Sequence, residues 1–220
     1  MIRIAIDGPS GSGKSTLAKA VARELGIIYV DTGALYRTVG YNVFINGKNP
    51  HKNEDVINLL DKTNIELKYE NGVQRVILNG EDLGDKIRMP EMSMYASLVS
   101  SIPEVRAFLL DMQKKMAREN SVVMDGRDIG TVIIPDADVK IFLTASNETR
   151  AKRRTLELQA KGVKVEYEDV LADMIERDKN DKNREIAPAI PAEDAIIFDN
   201  SSMSVEECVK EIVRLANEHS

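Results

Sequence analysis

Residues 8 to 15 read Gly8-Pro9-Ser10-Gly11-Ser12-Gly13-Lys14-Ser15 and match the phosphate-loop pattern G-x-x-x-x-G-K-[ST]. Before this stretch, residues 2–6 are rich in β-branched side chains and predict a buried strand. After it, residues 15–25 have helical spacing, and Gly26 stands where a glycine commonly ends a helix. Strand, glycine loop and helix are the context that the pattern requires, so the sequence predicts a phosphate-binding loop.

The chemistry of such a loop explains its composition. Glycines let the backbone come close to a phosphate and adopt positive φ, while the loop N–H groups and the helix N-terminus attract an anion. Lys14 is expected to reach the β- and γ-phosphates, and the hydroxyl of Ser15 to help hold Mg²⁺. The alternatives are a glycine turn that binds nothing and a dinucleotide fingerprint, whose spacing does not occur here in the right frame.

Composition excludes several classes of protein. The chain has 220 residues, 43% of them hydrophobic and 30% charged, which is typical of a soluble globular protein. It contains no apolar run as long as a membrane span, and its strand-like start predicts no signal peptide. A net charge of −6 argues against a general nucleic-acid binder. The single cysteine, Cys208, cannot form an internal disulfide, so we expect it to be buried and the protein to be cytoplasmic.

Strand and helix patterns alternate along most of the chain. This alternation predicts an α/β fold in which a five-stranded parallel sheet is flanked by helices. The predicted strands are 2–6, 27–30, 121–124, 139–143 and 195–198. The predicted helices are 15–25, 33–46, 54–61 with Asn53 as cap, 90–100, 103–119, 147–160, 167–182 and a last one from the cap Ser204 to about 217.

Residues 64–78 depart from this alternation. Apolar and polar residues alternate on both sides of Asn71-Gly72, the strongest short hairpin signal, and a second Asn-Gly at 79–80 indicates a third strand or a turn. We therefore expect a small antiparallel insertion at 63–90 within an α/β core formed by 1–62 and 91–220.

Polar residues follow the predicted core strands directly. Ligands of open parallel sheets bind beyond the carboxyl ends of the strands, so the phosphate loop, Asp31 and Asp125 are expected on one rim. In Asp125-Gly126-Arg127-Asp128-Ile129-Gly130-Thr131, Asp125 is placed to organise Mg²⁺ through water and Arg127 to bind a phosphate bidentately. The alternative is a structural turn with a surface ion pair.

Asp31-Thr32-Gly33-Ala34-Leu35-Tyr36-Arg37 follows the second strand. Asp31 or Thr32 could simply cap the next helix, whereas Tyr36 could stack or hydrogen-bond and Arg37 could bind a second phosphate. Basic residues also cluster at 150–154 and 177–184, either to handle a small anion or as solvated helix faces. Neither His51 nor His219 lies in a motif, so a mechanism that depends on histidine is poorly supported.

Three motifs, G-P-S-G-S-G-K-S-T, D-T-G-A-L-Y-R and D-G-R-D-I-G-T, in this order and spacing, resemble those of the bacterial cytidylate kinases. The resemblance covers nearly the whole chain, including the insertion and the later stretch from Glu176 to Arg184. It implies ATP-dependent phosphorylation of CMP and dCMP by a phosphate-loop kinase with a helical lid, and a monomer. It implies no nucleic-acid or membrane partner.

The resemblance also implies roles for individual residues. ATP would contact the loop residues 8–15, Thr16, and Arg153 and Arg154 of a lid at about 153–165. The residues that would bind CMP are Thr32, Tyr36, Arg37, Ser97, Arg106, Arg127, Asp128, Arg177, Asp181 and Arg184. Within this set Ser97, Arg106 and Asp128 would contact the cytosine ring, and Asp181 the sugar.

These assignments suggest a mechanism without a general base. The acceptor would be a phosphate oxygen that is largely deprotonated at neutral pH, since the second pKa of a phosphate ester is about 6. Lys14, Arg127, Arg177 and Arg184, with Mg²⁺ held by Ser15 and Asp125, would screen the two phosphates from each other and stabilise the transition state. Asp128 could accept a hydrogen bond from the cytosine amine, and Arg106 could donate one to N3 or O2.

Other functions remain open from the sequence. The nearest is a kinase for UMP, dTMP or a sugar-like alcohol. A GTPase-like switch would need the guanine-binding pattern Asn-Lys-x-Asp, which does not occur. A regulatory protein that binds ATP without transferring phosphate is a third. ADP formation with and without CMP would separate these functions.

Overall fold

The computed structural model describes residues 1–70, 72–160 and 162–218. The chain divides into two compact units. The first combines Met1–Ile28 with Asn120–Ser220, and the second is Tyr29–Glu119. Residues 63–90, the expected insertion, form part of the second unit together with the helices on either side.

The expected five-stranded parallel sheet is present. In chain order its strands are β1 Arg3–Asp7, β2 Ile28–Asp31, β6 Val122–Gly126, β7 Val139–Thr144 and β8 Ile196–Asp199, and their order in the sheet is β2-β6-β1-β7-β8. β1 pairs in parallel with β6 on one side and β7 on the other, and β7 pairs in parallel with β8. Asp7, the last residue of β1, is paired with Gly126, so both strands end at the same edge of the sheet.

Helices of the first unit follow these strands closely. They are α1 Lys14–Leu25, α6 Asn147–Ala160, α7 Tyr167–Asn183 and α8 Val205–Glu218, with a π-helical turn at Ile129–Ile133. Gly26 ends α1 in the left-handed conformation, as its position predicts. The hydroxyl of Ser204 accepts the N–H of Glu207, which confirms Ser204 as the cap of α8.

The second unit combines helices with the small antiparallel sheet. Its helices are α2 Thr32–Ile45, α3 Asn53–Leu60, α4 Glu91–Val99 and α5 Pro103–Glu119, with a 3-10 helix at Gly84–Arg88. Its strands are β3 Ile65–Glu70, β4 Val73–Leu78 and β5 Glu81–Asp82, in the order β3-β4-β5. Gly72 has a positive φ of 76° in the turn between β3 and β4, while Asn71, the other residue of the predicted turn, lies outside the described residues. The second Asn-Gly pair is followed by β5.

Two predicted helix caps have different outcomes. At the start of α2 the cap is Asp31, whose side chain accepts the N–H of Ala34, and not Thr32. The prediction that Asn53 caps α3 is wrong. Asn53 is itself the first helical residue, and Lys52 occupies the cap position with an extended backbone and no side-chain capping bond.

The lone cysteine is buried, as its helical surroundings predict. Cys208 is 2% exposed, and burial, assisted by the nearby carboxylate of Glu207, raises the pKa of its thiol. Among the described residues, no helix combines the length and the apolar character needed to cross a bilayer.

Close packing of α2 against α4 predicts an unusual response to alanine at Gly40. In an open helix this change stabilises by about 1 kcal/mol. Here the added Cβ would lie 2.8 Å from Cβ of Tyr95, and overpacking a core costs about 1–3 kcal/mol. We expect Gly40→Ala to lower the free energy of unfolding in urea, while the exposed control Ile45→Ala changes it by less than about 0.5 kcal/mol. A stabilised Gly40→Ala protein would contradict this packing argument.

Candidate functional site

The loop at 8–15 has the backbone that an anion-binding loop needs. Gly8, Gly11 and Gly13 all have positive φ, at 145°, 71° and 91°. At Gly8 the approach of β7 is also close, because a Cβ would lie 2.0 Å from the carbonyl oxygen of Leu143. Glycine is therefore required at this position for two independent reasons, conformation and space.

Lys14 is the first residue of α1, and its side chain turns back over the loop. Its Nζ donates to the carbonyl oxygen of Pro9 at 2.7 Å and lies 3.5 Å from Oγ of Ser12. Burial lowers the pKa of Lys14 well below its ordinary value, and the positive charges of Arg127 and Arg177 lower it further. The charges of Arg127 and Arg177 therefore act on Lys14, beside the phosphate loop.

Ser15 and Asp125 form a pair of hard oxygen ligands beside the loop. The hydroxyl of Ser15 donates to Oδ2 of Asp125 at 2.9 Å, and Asp125 is 4% exposed. Oxygen ligands next to a phosphate site suit Mg²⁺, which commonly keeps several waters and takes few protein ligands. The described residues contain no cluster of three or more His, Cys, Asp or Glu side chains arranged for a metal.

Asp7 fixes the loop that carries Arg127. Its two carboxylate oxygens accept the N–H groups of Ile129 and Gly130, each at 2.8 Å, and its side chain is buried. Burial raises the pKa of Asp7 to about 7, the two hydrogen bonds oppose this shift, and the neighbouring carboxylate of Asp128 adds to it. Asp7 is not among the site residues that the sequence motifs predict, although a carboxylate that ends the strand before a phosphate loop is a visible signal.

Three arginines converge on one buried carboxylate, Asp181. Nε of Arg127 donates to it at 3.1 Å, and nitrogens of Arg177 and Arg184 lie 3.9 Å from its oxygens. Burial alone would raise the pKa of Asp181, but the three guanidinium groups outweigh burial and hold it below its ordinary value. Because one carboxylate faces three cations, the group keeps an excess of positive charge and can bind an anion. We call these four residues the arginine cluster.

In the basic stretches at 150–154 and 177–184, lysines and arginines differ in their exposure to solvent. The lysines at 152, 179 and 182 are exposed, whereas the arginines are at least half-buried. Arg150, which is 3% exposed, pairs with Asp178 at 2.6 Å and donates to the carbonyl oxygen of Ser10 at 2.8 Å. Arg150 therefore holds the phosphate loop through the main chain of Ser10. The sequence did not predict this role, because a run of basic residues does not show which side chains point inward.

Asn200 also supports the loop. Its Nδ2 donates to the carbonyl oxygen of Ser12 at 2.9 Å, and its Oδ1 accepts from Arg153 at 3.1 Å. Arg154 pairs instead with Glu157 on the surface of α6, at 2.9 Å. The expected lid at 153–165 thus begins within α6, and Lys161 of its expected turn lies outside the described residues.

The second unit holds a separate group of the predicted residues around Asp31. Oδ2 of Asp31 accepts from the guanidinium of Arg37 at 2.7 Å. Thr32 and Tyr36, 3% and 8% exposed, lie on the same first turns of α2. Arg37, which is predicted to bind a second phosphate, is thus paired with a carboxylate of its own helix start in this structure.

Arg106 and Ser97 lie in the second unit as well. The Arg106 guanidinium stands over the ring of Tyr36 at 5.6 Å from the centroid, and it donates to the carbonyl oxygen of Ser100 at 3.3 Å. Arg106 is 7% exposed, so its charge is held in a mostly dry environment. Ser97 is half-buried near the end of α4, and its carbonyl oxygen accepts a hydrogen bond from the hydroxyl of Ser100. Asp128 is buried in the first unit, where its carbonyl oxygen accepts the first bond of the π-helical turn.

The chain is similar to known proteins along nearly its whole length. Residues 4–218 match the model of the family described as cytidylate kinase. The chain is 51% identical over 214 residues to "Cytidylate kinase" of Caldicellulosiruptor bescii, covering 97% of this chain and 95% of that protein. It is 50% identical over 216 residues to "Cytidylate kinase" of Fervidobacterium nodosum, covering 98% and 96%.

The solved structures support the fold. An uncharacterised protein from Eubacterium ventriosum superposes with a TM-score of 0.50 at 17% identity, covering 99% of each chain. This likeness concerns the fold alone, whereas the family model matches almost the entire length of the chain. The chain belongs to the cytidylate kinase family.

Proposed function

We propose that the protein transfers the γ-phosphate of ATP to CMP or dCMP, giving ADP and CDP or dCDP. The observation that carries this proposal is the arginine cluster in the same unit as the phosphate loop. Arg127 and Arg177 lie near enough to lower the pKa of Lys14, so two sites for phosphate share one electrostatic environment. A protein that only bound ATP would need the loop but not the second group of cations.

The phosphate loop and Lys14 would bind the donor, and the arginine cluster would hold the acceptor phosphate and the group in transfer. Both phosphates are anionic, so bringing them together is repulsive until cations neutralise them. Charge neutralisation and alignment, and not covalent chemistry, are the main requirements for phosphoryl transfer. Lys14, Arg127, Arg177 and Arg184 are therefore the proposed catalytic residues.

Mg²⁺ fits beside the loop, where Ser15 and Asp125 would hold it directly or through water and it would neutralise charge on the donor phosphates. The loop residues 8–15 and Thr16 would contact ATP, as would Arg153 and Arg154 of a lid that excludes water during transfer. The bond between Arg153 and Asn200, which in turn binds the loop, supports the assignment of Arg153.

The acceptor would be recognised by the remaining predicted residues. Thr32, Tyr36 and Arg37 would line its site, Asp181 would contact the sugar, and Ser97, Arg106 and Asp128 would contact cytosine. Burial of Arg106 and Asp128 supports discrimination between bases, because a buried polar group left unpaired by the wrong base is costly. We also infer that the protein acts in the cytoplasm as a monomer and binds neither nucleic acid nor membranes.

An acceptor panel tests the proposed function directly. ADP formation from ATP and Mg²⁺ should require CMP or dCMP, and kcat/KM for UMP should be at least about fivefold lower, since a mismatched buried hydrogen bond costs about 1–3 kcal/mol. Coupled spectrophotometry measures ADP, and reactions without acceptor give the background. Equal rates with CMP and UMP would refute the assigned base, and transfer to a sugar-like alcohol alone would refute the class of acceptor.

Lys14→Ala should lower kcat/KM by about a hundredfold to a thousandfold, because it removes a buried cation aimed at transferring phosphate. Lys19→Ala is the matched control, since Lys19 is an exposed lysine on the same helix. Steady-state kinetics and a thermal melt distinguish loss of catalysis from loss of folding. Two variants with equal activity would remove Lys14 from the proposed mechanism.

The raised pKa of Asp7 predicts that the free energy of unfolding depends on pH. Its pKa is raised from 3.8 to about 7 by folding, so it favours the folded state below pH 4 and this contribution is lost as the pH rises through 7. The free energy of unfolding of the wild type, minus that of Asp7→Asn, should therefore fall by about 1 kcal/mol for each pH unit between 5 and 7. Urea titrations at a series of pH values measure this difference, and parallel curves for the two proteins would contradict it.

A further inference from the structure

The small antiparallel sheet reaches the start of α2 through one side chain, that of Gln74. Its Oε1 accepts the N–H of Asp31 at 2.8 Å, and its Nε2 lies 3.2 Å from the carbonyl oxygen of Asp31, to which it donates. A carboxamide carries the same donor and acceptor as a peptide group. Gln74 therefore binds the main chain of Asp31 as a neighbouring strand would, at the residue where β2 ends and α2 begins.

The register of the sheet determines where Gln74 points. Cross-strand partners share a face, and on one face of β3 and β4 two apolar pairs are followed by a polar one: Ile65–Leu78, Leu67–Val76 and Tyr69–Gln74. The apolar residues pack in the core of the second unit. A slip of one residue would expose this apolar set and turn Gln74 to the opposite face. Core packing thus fixes the position of the carboxamide.

The contact lies in partly buried surroundings. The hydroxyl of Tyr69, the partner of Gln74 across the strands, is buried and has no hydrogen-bond partner within the described part of the chain. Burial raises the pKa of this hydroxyl, and the negative charge of Asp31 raises it further. Hydrogen bonds in such surroundings are stronger than in water, so the two bonds from Gln74 hold Asp31 firmly.

Fixing the main chain of Asp31 also fixes its side chain. One carboxylate oxygen accepts the N–H of Ala34 at 2.9 Å and caps α2, and the other accepts from Arg37 at 2.7 Å. Both main-chain groups and both carboxylate oxygens of Asp31 are therefore engaged. The direction of the Arg37 guanidinium follows from Asp31, and the position of Asp31 follows from Gln74.

We propose that Gln74 is a positioning residue for the acceptor nucleotide. The inserted sheet holds Asp31 through Gln74 so that Arg37 is presented at a set position for the acceptor phosphate. This role rests on the proposed function. It gives the insertion a task in acceptor binding and none in the binding of ATP.

The test compares Gln74→Ala with Val73→Ala, its neighbour on the same strand, which is 59% exposed. Loss of two hydrogen bonds that orient a binding group should raise KM for CMP about tenfold in Gln74→Ala, while kcat and KM for ATP stay at wild-type values. Val73→Ala should keep all three constants. A general loss of structure would instead affect both substrates, so an equal rise in both KM values would overturn the proposal, as would an unchanged KM for CMP.

Amide hydrogen exchange supplies a second measurement that needs no activity. In Gln74→Ala the N–H of Asp31 loses its acceptor and should exchange at least about tenfold faster, with Val73→Ala unchanged. Wild-type exchange at Asp31 in the Gln74→Ala protein would overturn the proposal. If the wild type forms no ADP in response to CMP, the proposed function fails, and the exchange rate of Asp31 still decides whether Gln74 holds this junction.

Discussion

Repulsion between like charges is the constraint on which the rest of this structure depends. Lys14 lies near Arg127 and Arg177, and its pKa is lowered first by burial and then by the positive charges of these two arginines. Carboxylates make the arrangement possible: Asp181 bonds to or faces the three arginines, and Asp125 acts favourably on Lys14. A site for two anions must be cationic before they arrive, and these buried acids stabilise it until then.

The same principle operates in the second unit on a smaller scale. There one acid, Asp31, orients one cation, Arg37, while the main chain around the acid is held by an amide and not by another charge. A neutral amide suits this position, since a second carboxylate would compete with Asp31 for Arg37. Apart from Lys14, the cations proposed to act in the described parts of both units are arginines with carboxylate or main-chain partners, and the lysines of the basic stretches lie at the surface. Planar guanidinium groups with several donors can bind a structural carboxylate and still present nitrogens to a phosphate.

Much of this architecture follows from local sequence rules. The glycine pattern at 8–15, the alternation of strands and helices and the Asn-Gly signals predict the parallel sheet and the inserted hairpin, because their cause is local backbone conformation and side-chain periodicity. What sequence reasoning missed involves contacts between distant residues. Asp7 meets Ile129 and Gly130, Arg150 meets Ser10, and Gln74 meets Asp31 only after folding. Asparagine is common at the cap of a helix. In α3, however, the extended Lys52 occupies the cap position, so Asn53 is the first helical residue.

The burial of Cys208 has a practical consequence for the study of motion in this protein. It is the chain's single cysteine, it is 2% exposed, and its raised pKa keeps the reactive thiolate scarce at neutral pH. Maleimide reagents should therefore leave the native thiol unmodified, so the wild-type sequence already provides a silent background. A cysteine introduced at an exposed position of either unit could therefore carry a fluorophore that reports local motion, without any prior substitution of the native residue.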